Sequence, residues 1–164
     1  MSTPVFRGEY FSIHLDTMNT EYVETGNEVL VVPLTAEEEV ILTVEPSAAF
    51  GEPTLILPGG STETGEDYVE TASRELQEEI GYVPGQLDVL GTLRAFSKYL
   101  TVQSFVYLAR DLRPSRLEGD EGYTIQLERV PLSGFEVLID SGRLLDARVI
   151  AALYMTRRFL RNLE

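Results

Sequence analysis

Residues 60–82 read G-S-T-E-T-G-E-D-Y-V-E-T-A-S-R-E-L-Q-E-E-I-G-Y. Val69, Ala72, Leu76 and Ile80 recur at spacings of three and four, the period of an amphipathic helix. Thr64 and Asp67 stand as a Ser/Thr-x-x-Asp/Glu start signal, and Gly81 is a natural stop. On a wheel turning about 100° per residue, with Glu75 at the origin, Glu79 falls near +40° and Glu78 near −60°. The apolar residues occupy the neighbouring arc. The spacing therefore predicts a helix lying on a core, with three carboxylates along one edge. Like charges 4 Å apart cost roughly 1 kcal/mol in water and about 4 near a protein surface. Such an edge is either a solvated acidic face or a site for a hard cation. Oxygen ligands suit Mg²⁺ or Mn²⁺, and both bind phosphate oxygens. The preceding Pro58-Gly59-Gly60 is small enough for backbone to approach a ligand or lend it a carbonyl.

Outward from this segment the period changes from helical to alternating. Towards the N-terminus, residues 7–15 and 21–24 read as short strands, part of an N-terminal antiparallel pair spanning about residues 5–25. Residues 29–33 and 40–44 are β-branched runs joined by a hairpin or loop at 35–39, and residues 54–57 form a further strand. On the other side, 87–94, 103–110 and 126–131 return to strand chemistry, and 111–123 is polar and irregular. Leu144, Leu145, Val149, Ile150, Leu153, Phe159 and Leu160 predict a final amphipathic helix from about 144 to 163. This order predicts a mixed α/β chain whose sheet is held between helices.

The whole chain has 164 residues, which suits one domain over residues 1–164. It carries 13 Lys+Arg against 27 Asp+Glu, a formal charge of −14, which argues against generic nucleic-acid binding. Seven acids and one base fall within residues 60–82, so that short segment holds −6 of the total. No cysteine is present, which excludes a disulfide framework and a thiolate site and fits a cytoplasmic protein. Neither a secretory signal nor an apolar run of membrane-spanning length appears, so no membrane partner is expected.

Gly60, Glu66, Arg74, Glu75, Leu76, Glu78, Glu79 and Gly81 stand at the spacing G-x5-E-x7-R-E-U-x-E-E-x-G-U, with U a bulky apolar residue. This pattern resembles the signature of the Nudix hydrolases. Leu117-Glu118-Gly119-Asp120-Glu121, Pro131-Leu132, Ala147-Arg148 and Ala151-Ala152-Leu153 are similar to the group of ADP-compounds hydrolases and ADP-ribose pyrophosphatases within it. The resemblance implies an α/β/α sandwich with a mixed sheet. It also implies Mg²⁺-dependent hydrolysis of the pyrophosphate bond of a nucleoside diphosphate linked to another moiety, above all ADP-ribose or a related ADP compound. Diadenosine polyphosphates and NADH are the alternative substrates, and a non-catalytic nucleotide sensor is the alternative from another class. A sensor is expected to lose Glu75, Glu78 or Glu79, and all three are present.

Carried over by position, Glu75, Glu78, Glu79 and the Gly59 carbonyl become metal ligands. Arg74 and Glu66 orient the carboxylates, while Gly60 and Gly81 shape the two ends. Relatives place a catalytic glutamate where this chain has Tyr123, so Glu121 is the nearest base candidate, followed by Glu118. Ser97 replaces a proline usual in enzymes acting on ADP-sugars, and Ile56 replaces a substrate-contacting glutamate. Arg94, Ser97, Tyr99 and Glu118 are the candidate substrate-binding residues. The resemblance further implies a homodimer in which the partner's N-terminal strands complete the adenine pocket. His14, the single histidine, reads as a half-buried structural residue, and Arg157, Arg158 and Arg161 as a solvated helix face.

Overall fold

The computed structural model describes residues 4–63, 65–119 and 122–163. The chain runs through β1 (Phe6–Arg7), β2 (Phe11–Leu15), β3 (Glu21–Thr25), β4 (Glu28–Pro33), β5 (Glu39–Pro46) and β6 (Pro53–Ile56). Next comes α1 (Tyr68–Glu75), continued by one π-helical turn, Leu76–Ile80. The remainder is β7 (Tyr82–Val83), β8 (Gln86–Leu93), β9 (Ser104–Arg110), β10 (Arg113–Pro114), β11 (Gln126–Pro131), α2 (Glu136–Asp140) and α3 (Ala147–Arg161).

The layering follows from β4. Its Val29 and Val31 pack with Ala72, Leu76 and Ile80, whereas Leu30 and Val32 pack with Leu144, Val149, Ala152 and Leu153. A strand covered by helices on both faces has no polar side, which is why residues 29–32 are uniformly apolar. β4 runs parallel to β9, and β8 runs antiparallel to β9. A second trio, β11-β5-β6, is antiparallel throughout. Residues 58–61 stitch the trios together: Val29 N–H donates to the Gly60 carbonyl and Val31 N–H to that of Pro58, both at 2.9 Å, and Glu28 bridges Ser61. The expected mixed sheet between helices is thus present, built in two halves. No helix among the described residues is long and apolar enough to cross a membrane.

Several local details differ from the sequence expectation. The 7–15 segment folds back at Gly8, whose N–H reaches the Phe11 carbonyl at 2.8 Å, so the N-terminal unit is a three-stranded sheet, β1-β2-β3, rather than a pair. Of the two forms expected for residues 35–39 the structure shows the loop: β4 pairs with β9 and β5 with β6 and β11, and the strands that the loop joins meet at the Leu34–Val40 bridge. The start signal at Thr64 lies outside the described residues. The capping box that the structure shows is one turn later: Asp67 accepts from Val69 and Glu70 amides, and Glu70 bonds back to the Asp67 amide. Val69 is half exposed, and Tyr68, stacked on Phe105 at 3.9 Å, joins the core in its place.

The tail helix begins at Ala147, three residues later than expected, because Asp146 caps it by accepting from the Arg148 and Val149 amides. Leu144 is buried in the preceding loop, and the short α2 escaped the periodicity altogether. Arg157 is not a solvated residue: it donates to the Leu132 carbonyl, pairs with Glu136 and lies 4.4 Å from the Phe135 ring.

Candidate active site

The site grows from the junction of residues 58–60 with α1. A Cβ at Gly59 would stand 2.1 Å from the Val29 carbonyl oxygen, so the loop and β4 can touch only through glycine. At Gly60 a Cβ would stand 2.3 Å from Glu75 Oε1, so the Glu75 carboxylate lies directly over that backbone. Glu79 Oε1 accepts from the Gly59 amide at 3.3 Å. Glu75 and Glu79 are 7% and 5% exposed and converge on the same two-glycine loop. The π turn matters here. A ladder of i→i+5 bonds advances each residue by less than the regular helix does, so the simple wheel misplaces everything after Glu75. Gly81, at φ 78°, ends the turn in a left-handed conformation, and a Cβ added there would stand 3.3 Å from the Arg116 side chain.

Arg74 binds three carboxylates at once: Glu66 at 2.9 Å, Glu78 at 2.8 Å and Glu75 at 3.0 Å. It also donates to the Ser61 carbonyl at 3.2 Å, anchoring the loop that carries Gly60. Burial opposes the guanidinium charge, but the hydrogen bond to Glu66 and the charges of Glu75 and Glu78 outweigh it and raise its pKa. The same hydrogen bond holds the Glu66 carboxyl below the ordinary carboxylate range. Glu66 is further fixed by the Thr71 hydroxyl and the Glu63 amide.

The structure brings together Gly59, Gly60, Glu66, Arg74, Glu75, Glu78 and Glu79, but not as a finished cage. Glu75 and Glu78 lean on Arg74, and Glu79 on Gly59. Among the described residues no three carboxylate or imidazole groups stand close enough to enclose a metal ion. The donor set is nevertheless all oxygen, and the bare backbone of Gly60 lets the Glu75 carboxylate lie directly against the loop, a chemistry that suits a small hard cation.

The other candidates lie in two loops. Arg94 bonds to Gln103, and Ser97 and Tyr99 are exposed on a segment tied to β3 through Val23 N–H to the Tyr99 carbonyl, 2.7 Å. Glu118 is exposed beside Leu117, whose amide bonds to the Gln77 carbonyl at the π turn. Glu121 lies outside the described residues. His14 is buried rather than half-buried, paired with Glu24 at 3.0 Å and stacked on Tyr22, so it is structural.

Sequence reasoning missed Gln77, which holds residues 115–117 against the helix through Ser115 Oγ at 2.9 Å. It also missed the Glu28–Arg148–Asp146 network beside Ser61. Arg148 was visible only as part of a resemblance, because its partner Glu28 is far away in the chain.

The NUDIX domain model matches residues 24–153. The chain is 31% identical over 134 residues to the ADP compounds hydrolase NudE of Escherichia coli (strain K12), covering 82% of this chain and 72% of that protein. It is 24% identical over 159 residues to the ADP-ribose pyrophosphatase of Bacillus subtilis (strain 168), covering 91% and 86%. A crystal structure of an ADP compounds hydrolase superposes with TM-score 0.84 at 26% identity over 99% of this chain and 93% of that one. The chain belongs to the Nudix family, as a pyrophosphohydrolase related to the ADP-compounds and ADP-ribose hydrolases.

Proposed function

We propose that this protein is a Mg²⁺-dependent cytoplasmic hydrolase of ADP-ribose or a closely related ADP compound, working as a single Nudix domain. The observation that carries the reading is the placement of two nearly buried carboxylates, Glu75 and Glu79, over Gly59 and Gly60. Glu75, Glu78, Glu79 and the Gly59 carbonyl would hold Mg²⁺, or Mn²⁺ in its place. A bound divalent ion neutralises phosphate charge and makes water a better nucleophile. Arg74 fixes the direction of Glu75 and Glu78, and Glu66 fixes Arg74. Glu121 is assigned as the base that takes the water proton, with Glu118 as its neighbour. Arg94, Ser97 and Tyr99 are assigned to the nucleotide.

The leaving group is a nucleoside monophosphate or sugar phosphate, so the product assay is direct. ADP-ribose, diadenosine tetraphosphate, NADH and nucleotide sugars are each incubated with Mg²⁺ and scored for AMP. The reading expects the highest kcat/KM for ADP-ribose. Binding of these compounds without turnover of any would establish a sensor instead. The exposed Val5, Phe6, Tyr10 and Phe11 give the N-terminal sheet an apolar surface that suits burial against a second copy. Light scattering on the eluted protein should therefore report twice the 18.3 kDa chain mass.

A further inference from the structure

One carboxylate near this site has no part in the reading above. Side chains of a strand alternate between faces. Ile41 of β5 packs in the α1-side cluster with Leu76 and Ile80, so Thr43 and Glu45 project on that same side. β4 and β5 meet at the Leu34–Val40 bridge and run antiparallel from it, which brings Glu45 level with the end of β4 where Glu28 bridges Ser61. Glu45 is half-buried and held at both oxygens: Thr43 Oγ1 donates to Oε1 at 2.7 Å and Tyr123 Oη to Oε2 at 2.8 Å. Tyr123 follows the segment that Gln77 and Gly81 tie to the π turn, through the Leu117 and Ser115 amides. The carboxylate thus sits between the sheet and that segment.

Its chemistry is unlike that of the glutamates around Arg74. Among the described residues no arginine or lysine pairs with Glu45, and both of its fixed partners are neutral hydroxyls. Each carboxylate oxygen keeps acceptor capacity after those bonds. An uncompensated negative charge repels phosphate, so the part of a nucleotide that it can receive is a donor of hydrogen bonds. Two oxygens about 2.2 Å apart match the paired hydroxyls of a sugar ring, and charge-assisted bonds are about twice as strong as neutral ones.

We propose that Glu45, oriented by Thr43 and Tyr123, binds the hydroxyls of the sugar on the far side of the pyrophosphate and so sets the preference for a sugar-bearing substrate. This rests on the proposed ADP-ribose-type activity. The test compares ADP-ribose with the n-pentyl ester of ADP, whose second moiety has no hydroxyl, in the wild type, Glu45→Gln and Tyr123→Phe. Glu45→Gln should lower the ratio of kcat/KM values, ADP-ribose over ester, about tenfold, mainly through the KM for ADP-ribose. Tyr123→Phe, on an exposed side chain, should lower it about threefold. An equal effect on both substrates, an unchanged ratio, or a kcat loss at constant KM overturns the assignment. A wild type that cleaves neither compound overturns the activity itself, and the Glu45 assignment with it.

Discussion

Gly60→Ala tests whether the carboxylate placement matters for chemistry more than for folding. The new Cβ would lie 2.3 Å from Glu75 Oε1 and 2.8 Å from its carboxyl carbon. Tight contacts of real Cβ atoms begin at 3.0–3.4 Å, so the carboxylate must retreat by about 0.7–1.1 Å. Glu75 is nearly buried and held by Arg74 at 3.0 Å, so that retreat strains the ion pair as well. Overpacking of this kind costs about 1–3 kcal/mol, which lowers Tm by about 2–10 °C for a chain of this size. A displacement near 1 Å of a catalytic group costs about 10²-fold in rate. The expected result is therefore a kcat on ADP-ribose down about a hundredfold in a protein that still folds.

Gly59→Ala should behave in the opposite way. Its Cβ would meet backbone, the Val29 carbonyl oxygen at 2.1 Å, and cannot be relieved without parting the loop from β4. Its Tm should fall further than that of Gly60→Ala. Adding Glu75→Asp to Gly60→Ala withdraws the carboxylate by one methylene, about 1.5 Å, and should return most of the lost Tm while leaving kcat low. Circular dichroism melts and initial rates measure both sides. A Gly60→Ala protein with wild-type kcat and Tm would refute the reasoning.

Glu79→Gln keeps an acceptor for the Gly59 amide but loses a charged ligand, and kcat should drop about 10³-fold with Tm nearly unchanged. Arg74→Lys puts one ammonium where a fork spans three carboxylates, and activity should fall about 10–100-fold in steady-state assays. Burial works to raise the Asp146 pKa, but the hydrogen bond and charge of Arg148 and the α3 amides outweigh it, so the folded pKa is depressed. Its contribution is then full above the unfolded value near 3.9 and is lost as pH falls through the folded value. Asp146→Asn should therefore melt about 2–6 °C lower at pH 7, and the gap should narrow as pH falls from the unfolded value through the depressed folded one. Mg²⁺ at a hundred times its Kd should stabilise the wild type by about 2.7 kcal/mol, read as a rise in Tm, and Glu79→Gln should respond far less.

How much of this was legible beforehand depended on the range of the interaction. Residues 60–82 disclosed their helix, their terminal glycine and the residues that gather at Arg74, because partners at i+1, i+4 and i−8 lie within one segment. The apolar run at 29–32 disclosed a covered strand. What stayed hidden was either conformational or distant. Nothing in L-Q-E-E-I distinguishes a π turn from a regular one, yet Glu79 is buried within that turn. Glu28–Arg148, Tyr123–Glu45 and Ser115–Gln77 join residues 120, 78 and 38 positions apart, and only the packing of separate elements brings them together. Arg157 read as solvated because a helix-end arginine usually is. Its aromatic neighbours Phe135 and Tyr154 come from different elements.

The burial of the glutamates also bears on the two meanings that an acidic helix edge can have. A solvated face points its carboxylates outward, where repulsion between them is screened. Here Glu75 and Glu79 are 7% and 5% exposed, and the one base of the segment, Arg74, already serves Glu66, Glu75 and Glu78. Burying an ion costs several kcal/mol unless a partner compensates it. A single guanidinium balances one of those three charges, so the folded segment keeps an excess of negative charge packed against two glycines. Side chains that served stability alone would gain from being neutral there, as well-packed apolar replacements of buried ions often are. Retaining them makes sense where a cation arrives with the substrate, and it makes the same charge a barrier to any anionic substrate that arrives without one.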